Sequence, residues 1–173
     1  LKDGYNVILM DISQERLNDL QKELPGKTYP VACNLADPED VERAFKVIKD
    51  TIGDVDILVN NAGILSNNKA EATSVSEWQK VMAVNLDGVF FLSRLVMPGM
   101  KKKGWGRIIN TSSLAAKSGG ITAGTAYSTS KGAIMSLTFS LAAELATYGV
   151  TVNGIAPAYV RTPMVMEQLN EEQ

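Results

Sequence analysis

The chain has 173 residues, 45% hydrophobic and 21% charged, with a formal net charge of -2. That is enough for one packed domain, and the near-neutral balance argues for neither nucleic acid nor an anionic membrane as a partner. Histidine is absent and Cys33 is the only cysteine, which removes Ser-His and Cys-His nucleophiles, His-ligated metal sites and any intrachain disulfide.

A lone cysteine fits a reducing compartment, so a cytoplasmic location is expected. No apolar run reads as long enough to span a bilayer, and the first residues lack a signal-peptide layout. No metal site has positive support, although carboxylates could hold magnesium.

In chain order, residues 1–4 read as the tail of a helix stopped by Gly4, so the chain begins in mid-element. Residues 6–10 form a short apolar strand ending at Asp11. Ser13 caps a helix whose inner face is Leu17, Leu20 and Leu24. Pro25-Gly26 stops it, and residues 28–33 read as a second strand. Asp37-Pro38-Glu39-Asp40 starts the next helix, with a capping Asp, a proline in the first turn and acids near the positive dipole end. Val41, Ala44, Phe45, Ile48 and Ile52 give it one apolar stripe.

Residues 55–59 are a third strand running into Asn60-Asn61-Ala62-Gly63. Ser74 and Glu77 have capping-box spacing before a helix expected to continue, with a bend, past Asn85 to about Met100. Gly104-Trp105-Gly106 is a turn. Residues 107–112 form a buried strand, and Ser113 lies at its end. A long helix runs from Ala126 to Thr147, and residues 150–155 are a further strand. Pro163 starts a last helix.

Strands alternate with helices throughout. That predicts a parallel sheet with helices on both faces, in three layers, joined by right-handed crossovers. Ligand sites in such sheets lie at the carboxyl ends of the strands. Asp11, Asn34, the Asn60-to-Gly63 run, Ser113 and the segment from Pro157 to Thr162 each follow a strand, so all should meet on one edge.

Tyr127 and Lys131 are four apart and share one face of the long helix. A free phenol has a pKa of ~10 and is a poor base at neutral pH. An ammonium beside it favours the phenolate, which suits general acid–base catalysis. Ser113 could hold a substrate oxygen. On the same helix, Ile134, Leu137, Leu141 and Leu145 form the stripe for the sheet. Ala133, Ser136, Ser140, Ala143 and Thr147 form a small-residue face, suited either to packing within the chain or to a second subunit.

These residues together resemble the short-chain dehydrogenase/reductase family, in the branch of 3-oxoacyl-carrier-protein reductases and sugar or polyol dehydrogenases. The matching segments are Asn60-Asn61-Ala62-Gly63, Asn85 in Val-Asn-Leu-Asp-Gly, Ser112-Ser113, Tyr127-Ser-Thr-Ser-Lys131, Val152-Asn153-Gly-Ile-Ala-Pro157 and Arg161-Thr162-Pro163. They occur in family order. The resemblance implies a doubly wound, Rossmann-like α/β domain over residues 1–173 and an enzyme that interconverts a secondary alcohol and a ketone with NAD.

It implies that Tyr127 is the acid/base, that Lys131 tunes it and binds the nicotinamide ribose, that Ser113 holds the substrate oxygen and that Asn85 supports a proton relay. Asn61, Ala62, Gly63, Pro157, Val160 and Thr162 line the cofactor, and Asn34 and Leu35 meet the adenine. Asp11 should accept from the ribose 2′-hydroxyl and repel a 2′-phosphate, favouring NAD over NADP. The partners expected are a small-molecule alcohol or ketone and a second copy or more of the chain, as a homodimer or homotetramer. The contacts would be the helices from Asn85 to Met100 and from Ala126 to Thr147.

The ends depart from the pattern. The family's first strand, its Gly-rich turn and its C-terminal helix and strand have no counterpart here. That first strand would lie between the strand ending at Asp11 and the one ending at Asn60, so a gap is expected there unless the sheet rearranges. The alternative to an enzyme is a non-catalytic relative or subunit that keeps the oligomer interface but binds cofactor poorly. The segment from Leu114 to Thr125 would define the substrate, which the sequence does not name.

Overall fold

The structure is a computed structural model and describes residues 4–24, 26–121, 123–158 and 160. The expected helix tail before Gly4 and the last helix at Pro163 lie outside the described residues. The elements run β1 (Val7–Asp11), α1 (Gln14–Glu23), β2 (Thr28–Ala32), α2 (Pro38–Thr51), β3 (Ile57–Asn60), α3 (Val75–Met82), α4 (Gly88–Lys103), β4 (Gly106–Thr111), α5 (Ala115–Ser118), α6 (Thr125–Leu145) and β5 (Val150–Ile155). This is the alternating α/β order that the hydrophobic pattern predicts.

The caps act as their residue types dictate. Ser13 Oγ accepts from Arg16 N at 3.3 Å and starts α1. Asp37 Oδ1 accepts from Glu39 N at 3.0 Å, and Pro38 opens α2 where no N–H is needed. Gly104, at φ 69, turns the chain out of α4 in the left-handed region. One face is narrower than its periodicity suggests. In α1 only Leu17 is buried, and Leu20 is 42% exposed. A short helix beside a two-stranded edge has one row of neighbours to cover.

Helices α3 and α4 are one continuous rod, joined by a π-helical turn over Ala83–Asp87. By length and composition this 29-residue span is apolar enough to cross a membrane, which corrects the sequence expectation that no segment is. Its α4 part instead buries Val89, Leu92, Val96, Met97 and Met100 in the core.

All strand pairs are parallel, but they form two sheets. β1 pairs with β2, while β3, β4 and β5 form a separate three-stranded sheet with β4 in the middle. Between β1 and β3 runs an apolar groove of about 950 Å³, floored by Phe45, Ile48, Val89, Leu92 and Val96. The expected gap is therefore present, and the strands do not rearrange to close it. The opposite edge, on β2, carries Pro30, which has no N–H to offer a further strand.

One apolar cluster joins α4, α6, β4 and β5 around Ile108, Leu141, Leu145, Val150 and Val152. A second joins β2, α2 and α4 around Val31, Val41, Ala44, Ile48 and Leu92. Burying a side chain such as Ile108, which has no exposed surface, contributes roughly 1.5–3 kcal/mol. A polar chain threads the first cluster: Asn60 Nδ2 donates to Asn110 Oδ1 at 2.9 Å, and Asn110 Nδ2 donates to Thr138 Oγ1 at 2.9 Å. Asn110 thus fixes β3 and α6 on either side of β4.

Candidate active site

The carboxyl end of β4 and the first turns of α6 are tied by small polar side chains. Ser112 Oγ donates to the Lys131 carbonyl at 2.7 Å, pinning α6 to the strand end. Lys131 is 4% exposed, and its Nζ donates to the Thr111 carbonyl at 2.8 Å. Burial pushes its pKa from 10.5 down to about 8. An ammonium has three N–H donors, and the Thr111 carbonyl is its one acceptor among the described residues. Tyr127 lies one turn earlier, with the Lys131 Nζ 5.8 Å from its ring centroid.

Asn85 sits in the π-helical turn and is fully buried. A π turn adds a residue to the helix and re-aims the side chains it carries, a device common at functional sites. Here Asn85 Oδ1 accepts from Ile64 N at 2.8 Å, and its Nδ2 donates to Ile64 O at 2.9 Å and to Ser130 Oγ at 3.1 Å. Gly63 faces this knot. A Cβ on Gly63 would come within 3.2 Å of Asn85 Oδ1 and 3.4 Å of Lys131 Nζ. Its hydrogen therefore leaves open the space in front of the ammonium.

Ser113 follows β4 and is half-buried, its Oγ accepting from Ala115 N at 3.2 Å. Asn61 Oδ1 accepts from Thr111 Oγ1 at 3.4 Å. The Pro157 carbonyl accepts from Leu114 N at 2.8 Å, which lays the segment after β5 beside the one after β4. Val160 is exposed. Thr162 lies outside the described residues.

The remaining candidates lie across the groove. Asp11, Leu35, Asn61 and Ala62 line it from both sides. Asp11 Oδ1 accepts from Ser13 N at 2.8 Å, so one carboxylate oxygen also serves the turn into α1. Asn34 Oδ1 accepts from Ala36 N at 3.1 Å, which commits that side chain to its own loop. Gly88 lets this loop approach α4, since a Cβ there would meet Leu35 Cβ at 2.8 Å. The structure thus brings Gly63, Asn85, Tyr127 and Lys131 into one knot, and Asp11, Leu35, Asn61 and Ala62 to one groove, with Ala62 next to Gly63 in the chain.

Ser130 was missed by the sequence reading. Its signal was present, since it lies three residues after Tyr127 and so on the same helix face. The Thr111 carbonyl had no signal, because any residue supplies one.

The model of the short chain dehydrogenase family matches residues 1–173. A 3-oxoacyl-(acyl-carrier-protein) reductase of Vibrio cholerae is 44% identical over 144 residues, covering 83% of this chain and 58% of that protein. The solved 3-ketoacyl-(acyl-carrier-protein) reductase of Brucella melitensis, complexed with NADH, superposes with a TM-score of 0.91 at 28% identity, over 99% of this chain and 72% of its own. A gluconate 5-dehydrogenase of Burkholderia cenocepacia, in complex with NADP and tartrate, has a TM-score of 0.84 and 31% identity, over 94% and 65%. The chain spans between about three fifths and three quarters of these relatives.

Proposed function

The chain belongs to the short-chain dehydrogenase family, and on that footing we propose an NAD(H)-dependent oxidoreductase that interconverts a secondary alcohol and a ketone. The observation that carries this reading is the buried Lys131 ammonium at the carboxyl end of β4, with Tyr127, Asn85 and Gly63 around it.

The residues fit a nicotinamide cofactor. Lys131 has more N–H donors than the one acceptor Thr111 supplies, and Gly63 leaves the space beside it open. Lys131 would hold the ribose hydroxyls. Asn61, Ala62, Gly63, Pro157, Val160 and Thr162 would line the nicotinamide end, and Asn34 and Leu35 the adenine end. The bound cofactor supplies or takes the hydride.

In the reducing direction, Ser113 Oγ donates a hydrogen bond to the substrate carbonyl oxygen and holds it beside Tyr127. The Tyr127 hydroxyl gives its proton to that oxygen. The phenolate left behind is favoured by the ammonium of Lys131. Asn85 fixes the Ile64 backbone and Ser130, and supports the path by which the proton is replaced. In oxidation each transfer reverses.

Two of the relatives named above act on 3-oxoacyl thioesters of a carrier protein, so a 3-oxoacyl thioester is the substrate class to try first. NAD is proposed over NADP because the Asp11 carboxylate lines the groove and would repel a 2′-phosphate. A homo-oligomer is proposed on the face of α6 where Ser136, Ser140 and Ala143 are exposed beside Phe139, itself 72% exposed, with Thr147 exposed in the turn that follows. A cytoplasmic location is proposed, with the free, buried Cys33 in weak support.

The test is Tyr127→Phe, assayed with NADH and acetoacetyl thioester. Turnover should be abolished while the Kd for NADH stays within about twofold, because the ring keeps its shape and loses the proton. Near-normal rates would remove the assigned role. The open groove favours a second reading for these 173 residues alone, as a domain that keeps the catalytic side chains but binds NAD weakly. Tight stoichiometric binding in a calorimetric titration would overturn that second reading.

A further inference from the structure

Ahead of Tyr127, Gly119, Gly120, Ile121, Ala123 and Gly124 belong to the loop between α5 and α6. Gly119 and Gly120 both take φ 71, in the left-handed region, so this loop has much conformational freedom to lose. It joins α5, which follows Ser113 in the chain, to the first turn of α6. What orders it comes from the segment after β3. Gly124 N donates to Ser66 O at 2.6 Å, and Thr125 N donates to Asn68 O at 3.0 Å. A Cβ on Gly124 would meet both of those carbonyls at 2.6 Å, so only glycine allows the approach.

Lys69 closes the arrangement. Its Nζ donates to three carbonyls of the loop: Gly120 O at 2.5 Å, Ala123 O at 2.8 Å and Ile121 O at 3.3 Å. Among the described residues, no carboxylate pairs with it. Three carbonyl oxygens converging on one point repel each other unless a cation sits there. The segment carrying Lys69 is itself anchored. Glu77, at the start of α3, accepts from Ser66 Oγ at 2.6 Å and Asn68 Nδ2 at 2.8 Å, and these bonds hold its carboxyl below the usual range. The order of support runs from α3 through Glu77 to residues 66–69, then through Lys69 to the loop and the Tyr127 turn.

We propose that Lys69 is a positioning residue, a latch whose ammonium holds the loop residues Gly120, Ile121 and Ala123 in the shape that binds substrate beside Ser113 and Tyr127. This rests on the reading of Ser113 and Tyr127 as the reacting groups. Among the described residues, Lys69 Nζ bonds backbone carbonyls alone, so it sets no chemistry. A loop already ordered spares the substrate the entropy of ordering it, so the latch acts on substrate affinity more than on the cofactor.

The test compares wild type, Lys69→Met and Lys69→Arg. Methionine keeps the stem and removes the charge, while arginine keeps a charged donor of similar reach. Hydrogen exchange should show the amides of Gly124 and Thr125 exchanging roughly tenfold faster or more in Lys69→Met, with the urea midpoint nearly unchanged and Lys69→Arg close to wild type. With NADH and acetoacetyl thioester, Lys69→Met should raise KM roughly tenfold, leave the Kd for NADH within about twofold, and be rescued by arginine. Unchanged exchange at Gly124 and Thr125 would overturn the latch. So would a Lys69→Met protein that loses cofactor binding and overall stability together, since that marks a merely structural residue. Absence of activity in the wild type would count against the catalytic reading and leave the exchange result to decide the latch.

Discussion

Lys131 offers the sharpest physical test. It is a lysine with 4% of its surface exposed and one carbonyl partner, and its pKa falls from 10.5 to about 8. The folded state gives up this proton near pH 8, the unfolded chain near 10.5. Between those values the unfolded chain binds more protons, so stability rises with pH. Below pH 8 the full cost of burying the charge is present, and above 10.5 it is gone. At about 1.4 kcal/mol per pH unit, that cost is roughly 3 kcal/mol at neutral pH. Lys131→Met removes the titration and keeps the stem. It also strips the Thr111 carbonyl of its donor, a loss of about 1 kcal/mol that does not vary with pH. Urea unfolding of both proteins at pH 7 and pH 10, at one ionic strength, isolates the charge. The variant's stability relative to wild type should fall by about 2.5 kcal/mol between pH 7 and pH 10. An equal difference at the two pH values would refute the buried ammonium. The same substitution should weaken NADH binding and turnover together, since one ammonium serves both.

Three further outcomes are expected. Asp11→Ser should narrow the preference for NAD over NADP in steady-state kinetics, and a wild type that prefers NADP would defeat the premise. Ala143→Arg places a bulky charge on the exposed small-residue face of α6 and should lower the mass seen by light scattering, whereas a monomeric wild type would remove that interface. Cys33 is 3% exposed, and burial with Asp40 nearby pushes its thiol up to about 11. It should therefore resist alkylation at pH 7.5 until the protein unfolds, and rapid labelling of the native protein would contradict that placement.

Much of the fold was legible because apolar periodicity and capping agree. Asp37-Pro38 marks the start of α2, and of its predicted stripe Val41, Ala44 and Ile48 are buried while Phe45 and Ile52 are half-buried. That Tyr127 and Lys131 lie side by side was legible from a spacing of four on a helix without breakers. The π-helical turn was not. Its residues have ordinary helix-forming character, and the partners Asn85 meets there, Ile64 and Ser130, are distant in sequence. Leu20 was misjudged because a periodic stripe shows which residues share a face but not whether a neighbour covers it. The Lys69 cage had no signal, since its three partners are backbone carbonyls of residues some fifty positions away.

The split between the two sheets bears on how the molecule comes apart. Among the described residues, no strand ladder joins the β1–β2 pair to the other three strands, and α2 meets α4 by packing. The hydrogen-bond network that makes a continuous sheet unfold as one body is interrupted there. The segment from β1 to α2 can open as a cooperative unit of its own while β3, β4, β5 and α6 stay together. Opening it exposes two bare parallel edges, with Ile57 40% and Val59 55% exposed on β3 even before it opens. Unlike the edge guarded by Pro30, neither carries a proline among β1 or β3 residues. At high protein concentration those edges, rather than the face of α6 proposed for an oligomer, are where strands of separate molecules would first join.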